Sequence, residues 1–372
     1  MKIYADNVII GGGIIGLLTA FYLSKSNQSI VIIEKSALAS EASWAGGGII
    51  SPLYPWRYSS AVTALASQAQ EIYPSLVEEL YEKTGIDAEY LKSGLLISEI
   101  DDWDQAINWC EKHCIKSELV KKVNTNLKMR SSSWLYLPEV SQLRNPRLVA
   151  SLSTYLRSLE KVKIIENDKV QRVDFKNVLV KSQRHQVVAK KIIFTTGAWT
   201  SNFINIPIKP IRGEMLMFAP FKHSLKQITL VDGKYIIPRR DGRVIVGSTL
   251  EDVGYKKGPT AVGRKELLKA AVNIMPMLKY QKIERHWAGL RPCSPNGIPF
   301  IGFHPDSENV LVNAGHYRNG VVLAPASCQL AVDLLLNAKP KVDHNPYHIL
   351  STRTYSKEKT KELAHRSSAV AS

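Results

Sequence analysis

The sequence predicts an α/β fold in two domains, and three observations carry that expectation. The chain has 372 residues, more than a single hydrophobic core usually supports. Residues 7 to 35, NVIIGGGIIGLLTAFYLSKSNQSIVIIEK, read as strand, glycine turn, helix and strand, the repeating unit of a parallel sheet. Residues 209 to 249 instead carry KPIRGEMLMFAP, KYIIPRRDG and RVIVGST, strand-like pieces with Asp-Gly turns that read as a meander. The expected architecture is a Rossmann-type domain joined to a domain built on a mixed or antiparallel sheet.

Composition sets the class before any motif does. Hydrophobic residues make up 45% of the chain and charged ones 22%, the proportions of a folded globular protein. Cys110, Cys114, Cys293 and Cys328 are too few and too scattered for a disulfide framework, which points to a reducing compartment and a cytoplasmic location. The short run WCEKHC groups Cys110, His113 and Cys114, but no second ligand pair accompanies it, so no metal is expected. The apolar run from Val8 to Leu23 holds only 16 residues and four glycines, short of the roughly 20 that span a bilayer. A net charge of +16 leaves nucleic acid, an acidic membrane surface and anionic small molecules open as partners. Part of that charge is a basic tail, in which Arg353, Lys357, Lys359, Lys361 and Arg366 outnumber Glu358 and Glu362.

The first element is the most informative. Gly11, Gly13 and Gly16 stand at GxGxxG spacing: a tight turn, a close backbone approach to a pyrophosphate, and close packing of helix on strand. Ile14 and Ile15 open the helix, whose free amides and positive dipole end face the phosphates. Glu34 ends the second strand 18 residues after Gly16, where an acid accepts from ribose hydroxyls, with Lys35 beside it. A dinucleotide site follows.

The next elements decide between NAD and FAD. A second glycine run, SEASWAGGGIISP at 40 to 52, offers Ser43, Ala45, Gly46, Gly47 and Gly48 to the diphosphate and flavin ends of a long cofactor; alone, it reads equally as a flexible loop. VKIIENDKVQRVDF and NVLVKS alternate as strands and place Val170 and Val173 where backbone meets an adenine. IIFTTGAW at 192 to 199 is a strand ending in a turn with Thr196, Gly197 and Trp199. Each is weak alone, since edge strands of any α/β protein look like this. Their order matches a glutathione-reductase-like FAD domain, one Rossmann sheet to which the chain returns.

The last elements, NVLVNAGHYRNGVVLAPASCQLAVDLLL at 309 to 336, are a strand, a glycine-rich turn and an apolar helix. Arg318, Asn319, Gly320, Val321 and Leu323 open a helix start aimed at a ligand; in a flavoprotein that end would stabilise charge on the reduced ring. The rival is a plain helix start capped by Asn319. Just before it, WAGLRP places Arg291 in an apolar stretch. A guanidinium is rarely buried without an anion, and Glu284 lies seven residues back, outside the apolar run.

GGGIIGLLTAFYL, ASWAGGGIISP, TTGAWT, PIRGEM, YIIPRRDGRVIVGSTLEDVG, HWAGLRP, GIPFIG and AGHYRNGVVLAPA together resemble the D-amino acid oxidase family, and most resemble its thiamine-pathway glycine oxidases. The resemblance runs from about residue 5 to about residue 340, with WAGLRP and GHYRNG its specific parts. It implies a discontinuous FAD domain at 1–85, 145–210 and 286–345, a substrate domain at 86–144 and 211–285, and a tail at 346–372. The implied activity is oxidative deamination of glycine or other small amino acids and amines by hydride transfer to flavin, with O2 as acceptor and peroxide as product. A quinone acceptor, as in D-amino acid dehydrogenases, is the alternative, with peripheral membrane contact. A relative that trims a modified tRNA base is the third reading, and nucleic acid is the least expected partner.

Residue by residue, the resemblance implies Arg291 as the carboxylate clamp, Tyr235 as a hydroxyl on the same carboxylate, and Arg318 near flavin and substrate. A half-buried strand aromatic and a surface arginine are the rivals for the last two. His316 would help position the flavin, and Gly233 and Leu250 would line the side-chain pocket. Cys293 stands off the register of a flavin-linking cysteine, so FAD is expected to be non-covalent. A homo-oligomer is expected from the family alone.

Overall fold

The computed structural model describes residues 1–98, 100–121, 126–128 and 133–349. Residues 350–372, which hold nearly all of the basic tail, lie outside them. Two large sheets dominate, accompanied by a small sheet of three short strands.

In the first large sheet, Val162–Ile165, Ile30–Ile33, Lys2–Ile10, Gln186–Phe194 and Ser307–Ala314 lie side by side and parallel in that spatial order. Numbered along the chain this is 3-2-1-4-5, the order of a Rossmann sheet. Gln186–Phe194 is long enough to serve two neighbours on one edge. Its first half pairs with the hairpin Val170–Asp174 and Leu179–Ser182, and its last three residues pair with Ser307–Ala314. Phe300–His304 closes the far edge antiparallel.

The parallel strands are apolar on both faces because both are covered. Leu17, Leu18 and Phe21 of the helix Ile14–Ser24 join Leu65 and Tyr73 of Ser60–Thr84, Leu152 of Asn145–Arg157 and Leu323 and Leu330 of Gly320–Leu335 in one core against Ile9, Ile32 and Leu311. Val8, Val31, Phe194 and Val312 face the opposite way, onto Ile204, Ile206 and Phe300. Alternation along each strand sends neighbours into different cores.

The second large sheet runs Ile283–Cys293, Lys209–Phe218, Val244–Gly247, Lys234–Pro238, Ile228–Val231, Leu95–Ser98, Trp134–Leu137 and Glu118–Val120. All pairs are antiparallel except Ile228–Val231 with Leu95–Ser98. Leu216, Phe218, Ile236 and Val246 pack on Leu267 and Ala271 of the helix Ala261–Ile274, while Met215, Tyr235 and Ile237 face the other way. Residues 286–293, expected with the FAD domain, lie in this second sheet: Ile283–Cys293 pairs with Lys209–Phe218 from end to end. Tyr347, expected in the tail, is fully buried against the first core, and its hydroxyl donates to the Ala61 carbonyl.

Among the described residues no helix is long and apolar enough to cross a membrane, and no group of three or more His, Cys, Asp and Glu is placed to hold a metal.

Candidate active site

The ends of the parallel strands open onto a cavity of about 490 Å³. It begins at the first glycine turn. Gly11 has φ +108, and a Cβ there would come within 2.6 Å of the Thr195 carbonyl oxygen. Only glycine takes that backbone at that distance. Thr195 locks the turn from the neighbouring strand, its hydroxyl donating to the Gly11 carbonyl at 2.8 Å. Gly13 and the first helical residues Ile14 and Ile15 line the cavity, and the Ser43 hydroxyl accepts from the Ile14 amide at 2.9 Å. Gly16 does not line it. A Cβ at Gly16 would overlap the Gly11 carbonyl, so this glycine seats the helix on the strand, the packing role its place in the motif implies.

Glu34 stands at the end of the second strand and lines the cavity while almost fully buried. Burial pushes its carboxyl pKa up, and the Gly12 and Ser36 amides, donating at 2.8 and 3.0 Å, partly offset that. Lys35 follows, its ammonium 3.0 Å from the centre of the Trp199 ring and 3.1 Å from Glu41. Lys257, from the second sheet's side, reaches the same Glu41 at 2.7 Å. Val170, Thr196 and Gly197 line the cavity with Trp199. Val173 instead packs among the apolar residues beneath the sheet.

At its other end the cavity meets a second one of about 70 Å³, and the two share Gly46, Arg291, Arg318 and Val321. Gly47, Gly48, Tyr235 and Asn319 line the smaller one, and Gly320 the larger. Ala45 lines neither: it packs on Gly289, and its carbonyl accepts from Trp287 Nε1 at 3.1 Å. Leu323 lines neither, being fully buried in the helical core. Gly233 and Leu250, expected at a side-chain pocket, are likewise outside both. The Gly233 amide donates to the Tyr54 hydroxyl, and the walls beside Tyr235 are Ile49, Leu53 and Val322.

Arg291 extends across the strand face onto Gly213, where a Cβ would overlap its guanidinium. It donates to the Thr249 carbonyl at 3.2 Å and the Ser248 hydroxyl at 2.7 Å. Both acceptors are neutral. Burial lowers its pKa from the ordinary value, and the facing charge of Arg318 acts in the same direction. Arg318 makes no ion pair or hydrogen bond among the described residues, and neither does the Nδ2 of buried Asn319. Glu284 is engaged elsewhere, bridging to Arg243 at 2.7 Å. Among the described residues the Tyr235 hydroxyl has only the Met215 sulfur as a partner, at 3.8 Å.

Three supporting residues carried no signal in the sequence. Thr249 accepts from the Glu214 amide and donates to Glu251, each at 2.9 Å, which fixes the carbonyl that holds Arg291. Ser248 shares that turn. Arg239 is buried behind the glycine run and donates to Gly47 O at 2.7 Å, Leu143 O at 3.0 Å and Gln142 Oε1 at 2.9 Å. Burial pushes its pKa down to about 10.

His316 lines the large cavity, but its Nε2 is 2.7 Å from the Ser327 hydroxyl. That hydroxyl spends its proton on Asn313 Oδ1, so the histidine Nε2 carries a hydrogen. Burial pushes its pKa down to about 3, which keeps the ring neutral.

Known proteins resemble this chain in sequence and fold. Residues 6–334 match the model of the DAO family, FAD-dependent oxidoreductases. The chain is 41% identical over 353 residues to the glycine oxidase of Pseudomonas putida, covering 91% of this chain and 97% of that protein. It is 28% identical over 361 residues to the glycine oxidase of Bacillus subtilis, covering 92% and 96%. The crystal structure of glycine oxidase from Geobacillus kaustophilus superposes with a TM-score of 0.90 at 27% identity, over 95% of this chain and 100% of that one. The chain therefore belongs to the DAO family of FAD-dependent oxidoreductases.

Proposed function

We propose that the chain oxidatively deaminates glycine and other small amino acids or amines, with Arg291 holding the substrate carboxylate. One observation carries this reading: two guanidiniums, Arg291 and Arg318, meet at a small cavity with the Tyr235 hydroxyl, and neither has a carboxylate partner among the described residues. Two half-buried like charges facing one small cavity favour an anion between them, and the anion that fits beside Ile49 and Leu53 is a small one. The glycine oxidases of Pseudomonas putida and Bacillus subtilis support glycine as the first substrate to test.

The two joined cavities together fit FAD on two observations. The Gly11 turn is closed to any side chain, leaving bare backbone and a helix start for a diphosphate. The buried Asn319 Nδ2 is a donor with no protein acceptor. Gly11, Gly13, Ile14, Ile15 and Ser43 would hold the diphosphate, and Glu34, Lys35 and Val170 the adenosine. Gly46, Gly47, Gly48 and the 318–321 turn would hold the flavin. FAD, when bound, supplies a two-electron acceptor for the hydride leaving the substrate α-carbon.

The protein's part is orientation. A bidentate guanidinium fixes the plane of the carboxylate and so the direction of the α-carbon. The Tyr235 hydroxyl donates to the same carboxylate, and the apolar walls keep bulk water out. A neutral amine needs no protein base to give up hydride. The imino acid is hydrolysed by water to the oxo acid and ammonia, and O2 is reduced to peroxide. Cys293 lines neither cavity and its thiol faces the Ser294 carbonyl at 3.7 Å, which supports non-covalent FAD; acid precipitation is expected to leave the protein pellet colourless.

The reading is tested by adding glycine, sarcosine, D-alanine and D-proline to the flavoprotein without oxygen. Bleaching of the flavin by glycine, and peroxide release in air, are the expected results. Dye reduction without peroxide would instead mark a dehydrogenase that serves a quinone, and failure of every amine to bleach would end the proposal. Arg291→Ala should cost about 2–5 kcal/mol of substrate binding, seen as a raised KM with FAD retained. Loss of FAD instead would make Arg291 structural.

A further inference from the structure

The two strands that frame the arginine set one glycine directly against another. Gly213 of Lys209–Phe218 pairs with Gly289 of Ile283–Cys293, and both are buried. Glycine inside a strand costs stability and packs nothing, so an opposed pair in the middle of a sheet needs a cause. Directly opposed residues project on the same face, and here that face is occupied from two directions. A Cβ at Gly213 would overlap the Arg291 guanidinium, and a Cβ at Gly289 would lie 2.6 Å from the Cβ of Ala45. Ala45 ends the short helix Ala42–Ala45, on which the glycine run of the cofactor cavity follows. The Trp287 indole, two residues from Gly289, holds the Ala45 carbonyl down at 3.1 Å.

We propose that Gly213 and Gly289 form one positioning notch, which sets the depth of the Arg291 guanidinium and of the Ala42–Gly47 segment on the same patch of sheet. The notch thereby fixes the spacing between the carboxylate clamp and the wall of the flavin cavity. Two absent methyl groups do this, one for each occupant. The inference rests on the proposed role of Arg291 as carboxylate clamp, and its cofactor half stands independently of that role.

Each half has its own compensating variant. Gly213→Ala is expected to raise KM for glycine on the order of 10- to 100-fold, the scale of a misplaced binding group, with FAD affinity unchanged. In an Arg291→Lys background, whose shorter head leaves room for the methyl, Gly213→Ala should add no further loss. Gly289→Ala is expected to weaken FAD binding about tenfold, the scale of an overpacked contact, read from quenching of flavin fluorescence. Ala45→Gly should restore it. Equal penalties for Gly213→Ala in both backgrounds, or no rescue by Ala45→Gly, would overturn the notch, because the methyls would then be clashing with the sheet itself. Should a single variant fail to fold, recovery of folding in its compensated partner supports the notch, and failure of both counts against it. The Gly289 pair is read through FAD alone, so it decides the notch even where the wild-type protein oxidises no amine.

Discussion

Arg291, half-buried, and His316, buried, line one cavity in opposite charge states. The arginine keeps its charge because guanidinium cannot lose it, and its neutral acceptors at Ser248 and Thr249 orient the head without neutralising it. The histidine, pushed down to about 3 by burial, gives its charge up. That difference has a measurable sign. Below about pH 6.5 the unfolded chain protonates His316 while the folded one does not, so the unfolded state binds more protons and stability falls on acidification. Between pH 6.5 and the folded-state value near 3, the group removes about 1.4 kcal/mol of stability per pH unit. His316→Gln, which keeps a donor for Ser327, should flatten the dependence of the denaturation midpoint on pH by that slope. Identical slopes for the two proteins would mean that the ring is not buried neutral.

At the scale of elements, the glycine run at 46–48 is shaped from behind. Arg239 extends from the end of Lys234–Pro238 and ties Gly47 to Leu143 and Gln142. Its own turn, RRDG, looks in sequence like any exposed Asp-Gly turn, and Arg240 and Arg243 beside it are surface ion pairs. Arg239→Met would leave two buried carbonyls without donors, each costing about 1–3 kcal/mol. The expected outcome is a lower melting temperature together with weaker FAD binding in fluorescence titration. A variant that melts earlier yet binds FAD as tightly would show that the glycine run keeps its shape unaided.

The same example explains what could be read in advance. Gly11, Gly13, Gly16 and Glu34 act within one strand-turn-helix-strand unit, so their spacing is visible in sequence. Arg291 was visible through its misfit with apolar neighbours. Arg239 meets Gly47 across 192 positions, and Thr195 meets Gly11 across 184. Such contacts exist only once segments far apart in the chain have come together, and no local pattern announces them. Ala45 and Leu323 lie off both cavities for the converse reason: they sit beside residues that face the cavities, while helical and turn geometry points them away.

At the scale of the whole molecule, the division into two sheets was legible and its last seam was not. Alternating apolar residues in IERHWAGLRPC suit either sheet, and only pairing along the whole of Lys209–Phe218 assigns the strand to the second. That assignment matters for function. Arg291 reaches the small cavity from the second sheet while Arg318 reaches it from the first, so the proposed anion site would exist only where the two sheets meet. The pairing of Gly11 with Thr195, and of the first glycine turn with a helix that begins at Gly320, has a further consequence during synthesis. A nascent chain carries its GxGxxG turn well before the strand beside it, whose Thr195 lies 184 residues on, and before the helix start at Gly320 that lines the same cavity. The ribosome therefore releases a fingerprint long before it releases a binding site.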